Sequence, residues 1–232
     1  MKSRRPAACV QCHLRIVTEA YGRGYTSGMT ETTTEQTGAR AERANRLSAD
    51  DWAAAALAQI SSHGVASVAV EPLARTLGVT KGSFYWHFPS RDALLQAALD
   101  RWEAYERDNI FSKLEAVDDP KQRLGQLINL VAHDDKSHII YKQLLKAMDH
   151  PLVQPVIGRV SRRRLEWVRD SFAAAGFTPD DARHRARLLY SAYVGFQQLN
   201  LQTPQDRPPQ EEYEAYVSHL MDTLIHPPTN TP

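Results

Sequence analysis

The pattern of hydrophobic and polar positions becomes helical at Leu47. In the first helical stretch, apolar residues recur every three to four positions, which is the spacing of one helix face: Trp52, Ala53, Ala56, Leu57 and Ile60. Ser48, with Asp51 three residues later, has the pattern of an N-cap, and Gly64 that of the residue beyond a helix end. The sequence therefore predicts a first helix between Ser48 and His63.

Two short helices are predicted next. The first covers residues 70–77 and ends at Gly78, and Thr80 is expected to cap the second. In the second short helix, Phe84 and Phe88 lie four residues apart, so both are expected on its inner face. Two short helices joined by a glycine turn, with another helix packed against both, are typical of a helix-turn-helix unit, whose second helix reads DNA.

The rest of the chain also has helical patterning. Pro89 ends the short helix, and Ser90 is expected to cap a long helix that continues to about Leu114. Further helices are predicted near 120–133, 137–148, 152–175, 179–202 and 210–226. Thr178 followed by Pro179 is the pattern of an N-cap with proline in the first helical position. No segment alternates like a strand, so the predicted fold class is all-α.

The outer face of the second short helix carries candidate DNA-binding chemistry. Lys81 and Ser83 lie at the helix N-terminus, from where side chains reach base edges. The full set on this face is Lys81, Gly82, Ser83, Tyr85, Trp86 and His87. Aromatic residues at helical spacing are more often core residues. We nevertheless expect Tyr85 and Trp86 to be exposed, because Phe84 and Phe88 already fill the inner face of so short a helix.

Residues 78–95, GVTKGSFYWHFPSRDALL, resemble the DNA-binding signature of the tetracycline-repressor (TetR) family of bacterial regulators. The resemblance implies that Lys81, Gly82 and Ser83 contact bases and that Tyr85, His87 and Arg91 anchor to phosphate. Thr80 and Trp86 belong to the same implied DNA-binding set. It also implies a small-molecule-controlled regulator, in most cases a repressor.

The upstream helix departs from the family pattern in one respect. Relatives usually carry Thr or Ser before Val70, as a cap that also touches a phosphate, whereas this chain has Val68 and Ala69. Ser67 is a candidate to supply the cap from a shifted position. Pro72 in the first turn is compatible with a helix, because its missing amide hydrogen would have no helical partner there.

The resemblance also implies the domain organisation. It consists of an N-terminal helix-turn-helix three-helix domain followed by a larger helical ligand-binding and dimerisation domain. The expected bounds are an extension at 1–39 that is disordered or not translated, a DNA-binding domain at 40–95, an effector and dimer domain at 96–226 and a tail at 227–232. A dimer suits a palindromic DNA operator, since two-fold symmetry in the protein matches two half-sites.

Candidate residues for the second domain come from its aromatic and small side chains. The candidates for lining an effector cavity are Trp102, Tyr105, Tyr141, Trp167 and Phe196, for each of which a plain core role is the alternative. Small residues beside apolar ones on the helix at 179–202 suit close helix packing, and the candidates for a dimer interface are Leu189, Ala192, Tyr193 and Phe196. The effector itself is not identified by these residues.

Composition changes this picture little. The chain has 232 residues, with 28 Lys+Arg against 27 Asp+Glu, and it contains no apolar run long enough to span a membrane and no signal-peptide core. We therefore expect no membrane association and a cytoplasmic location. Arg40, Arg43 and Arg46 form a basic arm that in some relatives enters the minor groove, although a solvated charge run is the default interpretation.

The two cysteines lie in Cys9-Val10-Gln11-Cys12-His13, the spacing used for c-type haem attachment. Haem attachment requires export, for which no signal is present, and a zinc site requires two more ligands at suitable spacing. We expect no cofactor and no metal. Met29 is a second candidate translation start, and its use would remove both cysteines.

A metal-dependent or small-molecule-binding enzyme on a similar helical scaffold is the alternative hypothesis. Its best residues are His133, Asp134, Asp135 and His138, followed by Asp149 and His150. These clusters are interpreted as polar turns between helices, because His133 and His138 lie five residues apart across an expected helix break. We therefore expect a regulator rather than an enzyme.

Overall fold

The computed structural model describes residues 47–133, 135–206 and 208–225, and those residues form helices and connecting turns without a strand. The fold class is all-α, as predicted. The chain divides into two compact units, one up to Trp102 and the other from Glu103. The predictions for the extension at 1–39, the cysteine motif, the basic arm and the tail at 227–232 lie outside the described residues.

The first unit begins with helix α1 (Ala49–His63), which starts at the predicted cap. The Ser48 hydroxyl accepts from the backbone N–H of Asp51, and the backbone N–H of Ser48 donates to the Asp51 carboxylate at 2.7 Å. This reciprocal capping box satisfies two amides that the helix leaves unpaired. A 3-10 turn (Val65–Ser67) follows, then α2 (Val70–Thr76), α3 (Lys81–Tyr85) and α4 (Arg91–Glu106).

An aromatic cluster forms the centre of the first unit. Trp52 of α1 meets Phe84 of α3 edge to face with ring centroids 5.4 Å apart, and Phe84 stacks on Phe88 at 5.8 Å. All three side chains are buried, so the predicted inward placement of Phe84 and Phe88 is confirmed. Aromatic pairs of this geometry add to the hydrophobic burial. The cluster therefore fixes the short α3 against α1.

Two predicted caps in this unit are wrong. Thr80 occupies the N-cap position of α3, but its side chain makes no capping hydrogen bond. The Ser67 hydroxyl does not cap α2; it donates to the carbonyl oxygens of Gly64 and Gln59, because it lies inside the 3-10 turn. The N-cap residue of α2 is Ala69, without a side-chain bond. Ser90, in contrast, accepts from the amide of Ala93 at 3.1 Å, as predicted.

The second unit starts with the last turn of α4 and continues through a π-helical turn (Arg107–Phe111). The helices that follow are α5 (Ser112–Glu115), α6 (Pro120–His133), α7 (Asp135–Leu145), α8 (Val153–Ala174), α9 (Pro179–Gln202) and α10 (Gln210–Ile225), with a 3-10 turn (Pro204–Asp206) before α10. The five predicted helices of this region are present within a few residues. The π turn is a difference, since one uninterrupted α-helix to about Leu114 was expected.

The connection between α8 and α9 is set by local hydrogen bonds. Gly176, at φ 95°, donates to the Ala173 carbonyl, and Phe177 donates to the Phe172 carbonyl. This is a Schellman motif, and the contact between the Phe172 and Phe177 rings at 5.7 Å is its usual apolar partner. The hydroxyl of Thr178 then accepts from the Asp181 amide and starts α9 as predicted. None of the described helices is long and apolar enough to cross a lipid bilayer.

Candidate DNA-binding surface and effector cavity

The turn between α2 and α3 sets the direction in which α3 leaves α2. Gly78 has φ 71°, and a side chain there would meet nothing within 4 Å, so the backbone conformation alone favours glycine. Val79 donates to the carbonyl of Ala74, and Gly78 donates to that of Arg75, which completes a second Schellman motif. The glycine turn expected of a helix-turn-helix unit is therefore present.

The outer face of α3 is open to solvent. Trp86 is 88% exposed and Tyr85 is 58% exposed, which confirms their predicted exposure. Among the other predicted DNA-binding residues, Thr80, Lys81 and Gly82 are exposed, and Ser83 and His87 are half-buried. Large aromatic side chains are costly to leave in water. The exposed Trp86 and Tyr85 therefore make this face a candidate contact surface.

Gly82 has no structural explanation within the described part of the chain. Its φ is not in the left-handed region, and a Cβ built there would lie 3.6 Å from the Thr80 hydroxyl, an ordinary contact. Glycine inside a helix costs about 0.5–1 kcal/mol relative to alanine. Neither backbone conformation nor packing requires glycine here, and the exposed α3 backbone is open to close approach by another molecule.

Lys81 is held by a carboxylate on the preceding helix. Its ammonium donates to Oε1 of Glu71 at 2.8 Å, and both side chains are largely exposed. The hydrogen bond from Lys81 and its positive charge lower the pKa of Glu71, and the same contact raises the pKa of Lys81. The residue expected to read bases therefore has an alternative partner when DNA is absent.

Arg91, expected to anchor to phosphate, is tied into the first unit. Its Nε donates to the carbonyl of Val68 at 2.7 Å, its Nη2 to that of Val65 at 3.3 Å, and its Nη1 contacts Asp92. The guanidinium thus satisfies two carbonyls around the start of α2. The structure gives Arg91 a positioning role, and its contact with phosphate stays a prediction.

The second unit contains a cavity of about 90 Å³. Its wall is contributed by α6, α8, α9 and α10, by the π turn and by the last residue of α4: Glu106, Ile110, Phe111, Leu127, Ile128, Leu130, Arg164, Val168, Leu189, Tyr190, Ala192, Tyr193, Phe196, Tyr213, Tyr216, Val217 and Leu220. The rings of Phe196 and Tyr213 stack at 4.7 Å in this wall. Concave, mainly apolar sites with a few polar groups are typical of small-molecule binding.

A buried ion pair stands in the cavity wall. Nη2 of Arg164 donates to the carboxylate of Glu106, and both residues are buried. The guanidinium lies over the rings of Tyr141 and Tyr193, at 4.8 Å and 5.6 Å from their centroids. Burial lowers the pKa of Arg164, but the Glu106 carboxylate and the neighbouring Tyr193 and Tyr190 hydroxyls together raise it well above its usual value. The pair is therefore a fixed, charged feature of an otherwise apolar wall.

A tyrosine network lies beside this ion pair. The hydroxyl of Tyr190 donates to Ser161 at 2.8 Å and lies 3.3 Å from the hydroxyl of Tyr141. Burial raises the pKa of Tyr141 and of Tyr193 well above the usual value, although Arg164 acts in the opposite direction on both. The phenols of Tyr141 and Tyr193 are therefore neutral at physiological pH.

The residues predicted for the effector cavity are only partly brought together. Phe196 lines it. Tyr141 and Trp167 lie behind its wall, where they stack on Tyr193 at 5.7 Å and pack on Phe111 at 5.5 Å. Tyr105 and Trp102 do not line the described cavity, and Trp102 belongs to the first unit. Four further lining residues were not predicted, since no local pattern marks them as neighbours: Glu106, Arg164, Tyr213 and Tyr216.

The residues predicted for the dimer interface lie on the cavity side of α9. Leu189, Ala192, Tyr193 and Phe196 all line the cavity within one protomer. The outer side of the helix carries Leu188, which is 60% exposed, Leu199, which is 58% exposed, and between them the exposed small residues Ser191 and Gly195. The opposite side of α9 thus carries an exposed strip of apolar and small residues, and the dimer interface stays a prediction.

Within the described ranges no group of three or more His, Cys, Asp or Glu side chains is placed to hold a metal ion. Asp134 and the side chains of His133, Asp135 and His138 lie outside what the structure describes. The ring of His150 accepts from the Leu152 amide at 3.2 Å, so this histidine supports a turn between helices. That contact agrees with the interhelical-turn interpretation of the Asp149-His150 cluster.

Residues 53–98 match the family model of the bacterial regulatory proteins of the tetR family, and residues 117–223 match that of a tetracyclin repressor-like C-terminal domain. The chain belongs to the TetR family. TetR-family proteins are DNA-binding transcriptional regulators, which makes the enzyme alternative the less favoured hypothesis. Both matched domains fit the all-helical fold described above.

Among the relatives, the HTH-type transcriptional regulators SrpR and TtgW, both of Pseudomonas putida, are each 28% identical over an alignment of 113 residues that covers 41% of this chain. The match spans 51% of SrpR and 81% of TtgW. A Saccharomonospora viridis protein crystallised in complex with choline has a TM-score of 0.65 at 19% identity, with 78% of this chain and 96% of that one covered. At this identity the likeness shows the fold alone.

Proposed function

We propose that this protein is a dimeric transcriptional repressor that binds a palindromic DNA operator and leaves it when a small effector occupies the cavity of the second unit. The observation that carries the proposal is the outer face of α3. It combines an 88% exposed Trp86, a glycine that neither conformation nor packing requires, and a lysine held only by an exposed ion pair. Operator binding also implies a cytoplasmic location, with the chromosome.

The proposed DNA contacts follow from the position of each residue on α3. Lys81, Gly82 and Ser83 lie in its first turn and contact base edges in the major groove. Thr80, Tyr85, Trp86 and His87 surround them and contact phosphate and sugar, which fixes the register of the helix on the duplex. The domain bounds expected from the sequence, 40–95 for DNA binding and 96–226 for effector binding and dimerisation, are retained in this proposal.

The proposed dimer interface is the outer face of α9. Leu188 and Leu199 supply apolar area, and Ser191 and Gly195 between them leave room for a partner helix to approach. The same face on both subunits meets about a two-fold axis, as in most homodimers. Leu189, Ala192, Tyr193 and Phe196 then act on the cavity side and support this face from beneath.

The proposed effector site is the 90 Å³ cavity. The Saccharomonospora viridis neighbour, crystallised with choline, supports small-molecule binding by this fold. An effector releases the operator only if it binds the DNA-free form more tightly than the DNA-bound form. An effector in the cavity is therefore expected to lower the affinity of the protein for its operator. By the same coupling, the effector should bind the DNA complex more weakly than it binds the free protein.

Fluorescence anisotropy tests the DNA-binding part of the proposal. Full-length protein is titrated against labelled duplexes from immediately upstream of its own gene and of the divergent neighbour, at two salt concentrations, with a scrambled duplex as control. We expect saturable binding to one fragment at least about 10³-fold tighter than to the scrambled duplex. Equal affinity for all duplexes, lost near physiological salt, would leave only nonspecific phosphate attraction and contradict the proposal.

A further inference from the structure

A carboxylate lies next to the residues that are proposed to read DNA. Glu71 is the second residue of α2, and its side chain is 65% exposed. Its Oε1 accepts a hydrogen bond from Nζ of Lys81 at 2.8 Å, across the glycine turn. Because Lys81 is proposed to contact base edges, Glu71 comes close to the same base edges. A negative charge there is repelled by the phosphates of the duplex, so it lowers affinity unless it gains a hydrogen-bond donor.

Neighbouring cations keep this carboxylate ionised. The hydrogen bond from Lys81 and its charge lower the pKa of Glu71, and the charge of Arg75, one turn later on α2, lowers that pKa further. An ionised carboxylate has acceptor atoms and no donor. The partner that a base edge can supply to Glu71 is therefore an N–H group.

The pattern of base-edge atoms in the major groove narrows the partner further. In a G·C pair, the N4 donor of cytosine lies beside the O6 acceptor of guanine, and N7 of guanine adds a second acceptor. Base pairing holds N4 and O6 about 2.9 Å apart, close to the 2.8 Å between the head groups of Lys81 and Glu71. In an A·T pair, the N6 donor separates the two acceptors, and the thymine methyl group lies beside one of them. A G·C pair therefore suits the two side chains best.

We propose that Glu71 is a specificity-determining residue that accepts a hydrogen bond from N4 of a cytosine, while Lys81 donates to O6 and N7 of the guanine paired with that cytosine. The inference rests on the proposed function, because it requires α3 to lie in the major groove of an operator. In the free protein the two side chains neutralise each other. On the operator, each exchanges the other for a neighbouring atom of the same base pair. At a different base pair the carboxylate loses its donor or the ammonium loses an acceptor, so affinity falls.

Selection of bound duplexes from a random library, followed by sequencing, tests this inference on the full-length protein. For the unaltered protein we expect one base pair in each half-site at which cytosine is preferred about tenfold over the other bases. In Glu71→Gln this preference should fall to about twofold, because loss of the charge raises affinity most for duplexes that lack the cytosine. Asp100→Asn, which neutralises an exposed carboxylate of α4, should keep the full preference. Unchanged base preferences in Glu71→Gln, or a change at an A·T pair alone, would overturn the inference.

The same selection shows whether Lys81 and Glu71 read one base pair. Lys81→Ala should lower the preference at the base pair that Glu71→Gln affects, and the double variant should lose little beyond Lys81→Ala alone, because contacts to one base pair are not additive. Lys81→Arg should keep the guanine, since arginine also donates to O6 and N7. The contact between Lys81 and Glu71 is largely exposed, so these variants are expected to fold. Effects of Lys81→Ala and Glu71→Gln at two different base pairs would contradict the shared contact.

A chemically altered operator isolates the hydrogen bond to Glu71. N4-methylcytosine at the selected position replaces the groove-facing N–H by a methyl group and still pairs with guanine. In anisotropy titrations, the unaltered protein should lose about fivefold or more in affinity, and Glu71→Gln about twofold or less. Equal losses in the two proteins would overturn the inference. If the unaltered protein selects no sequence, the proposed function fails as well, whereas a selected operator whose base preferences do not depend on Glu71 contradicts the inference alone.

Discussion

The ammonium of Lys81 lies 2.8 Å from the carboxylate of Glu71, so the cation at the start of the proposed reading helix is neutralised by the helix before it. A phosphate or base edge has to replace Glu71 as its partner. Two exposed charges that exchange partners in water lose little free energy, because such surface pairs are weak. The pair thus holds Lys81 in place and still leaves it available.

Glu71→Gln is expected to raise DNA affinity. It removes a negative charge next to the duplex and frees Lys81, so affinity for all duplexes should rise about two- to tenfold, and the slope of log affinity against log salt should become steeper by up to about one. Anisotropy titrations over a range of salt concentrations measure both. Glu115→Gln, an exposed carboxylate of the second unit, is the control. An unchanged slope would show that Lys81 does not gain a phosphate contact.

Gly82→Ala is expected to separate stability from DNA binding. A Cβ fits at this position, so the free energy of unfolding should stay level or rise by about 0.5–1 kcal/mol, while operator affinity should fall because the Cβ meets the duplex. Gly158→Ala is the matched control, because Gly158 lies in α8 and a Cβ there would meet nothing within 4 Å. Urea unfolding and anisotropy are compared for both. Full operator affinity in Gly82→Ala would argue against close approach of DNA to this backbone.

Arg91→Ala is expected to destabilise the first unit. The guanidinium donates hydrogen bonds to the carbonyls of Val65 and Val68. Loss of these two hydrogen bonds should lower the free energy of unfolding by about 1–2 kcal/mol. Arg75→Ala, an exposed arginine of α2, serves as control in urea unfolding. If Arg91 also anchors to phosphate, the salt slope of DNA binding falls by about one. Unchanged stability together with a reduced slope would make Arg91 a phosphate ligand alone.

Leu188→Glu is expected to weaken the dimer. A charge on the outer face of α9 would be buried against its counterpart across the two-fold axis, so sedimentation velocity should show monomer at micromolar concentration. Ile139→Glu, at another exposed apolar residue of the second unit, is the control and should sediment as the unaltered protein does. A dimeric Leu188→Glu protein would place the interface elsewhere.

The tyrosines of the second unit provide a pH test. Burial raises the pKa of Tyr141 and Tyr193, so both should remain protonated at about pH 11 in the folded protein, whereas in the unfolded chain all nine titrate near pH 10. Because the folded protein raises the pKa of these two tyrosines, they contribute to the free energy of unfolding below pH 10, and this contribution is lost as the pH rises further. Absorbance at 295 nm, with and without denaturant, measures this. Full ionisation of all tyrosines in the folded protein by about pH 11 would contradict the packing of this network.

Sequence alone predicted the features that depend on neighbours along the chain. The Ser48 and Asp51 capping box, the Gly78 turn and the Thr178 cap each involve residues within a few positions of one another. The exposure of Trp86 followed from the length of α3, because Phe84 and Phe88 already occupy its buried side. The cap predicted at Thr80 was wrong, because a residue type suited to capping caps a helix only if its hydroxyl points at the backbone amides of the first turn.

The effector cavity could not be predicted in the same way. Glu106 and Arg164 lie 58 residues apart, and nothing in either local sequence indicates that they pair. Helix α9 carries apolar residues on two sides, so the pattern could not decide which side faces the cavity and which faces a partner. Leu188 and Leu189 are adjacent in sequence yet have opposite surroundings, and only the packing of α6, α8 and α10 distinguishes them.

The number of residues in the π-helical turn at Arg107–Phe111 helps to determine which side chains face the cavity. A π turn accommodates one residue more than the α-helical ladder would, which advances everything after it by about 100° around the helix axis. Ile110 and Phe111 line the cavity in this phase. A relative shorter by one residue here would keep every side chain of the wall in its sequence and still present a different surface to its ligand. We therefore expect relatives that differ in length at this turn to differ in the surface of the cavity wall.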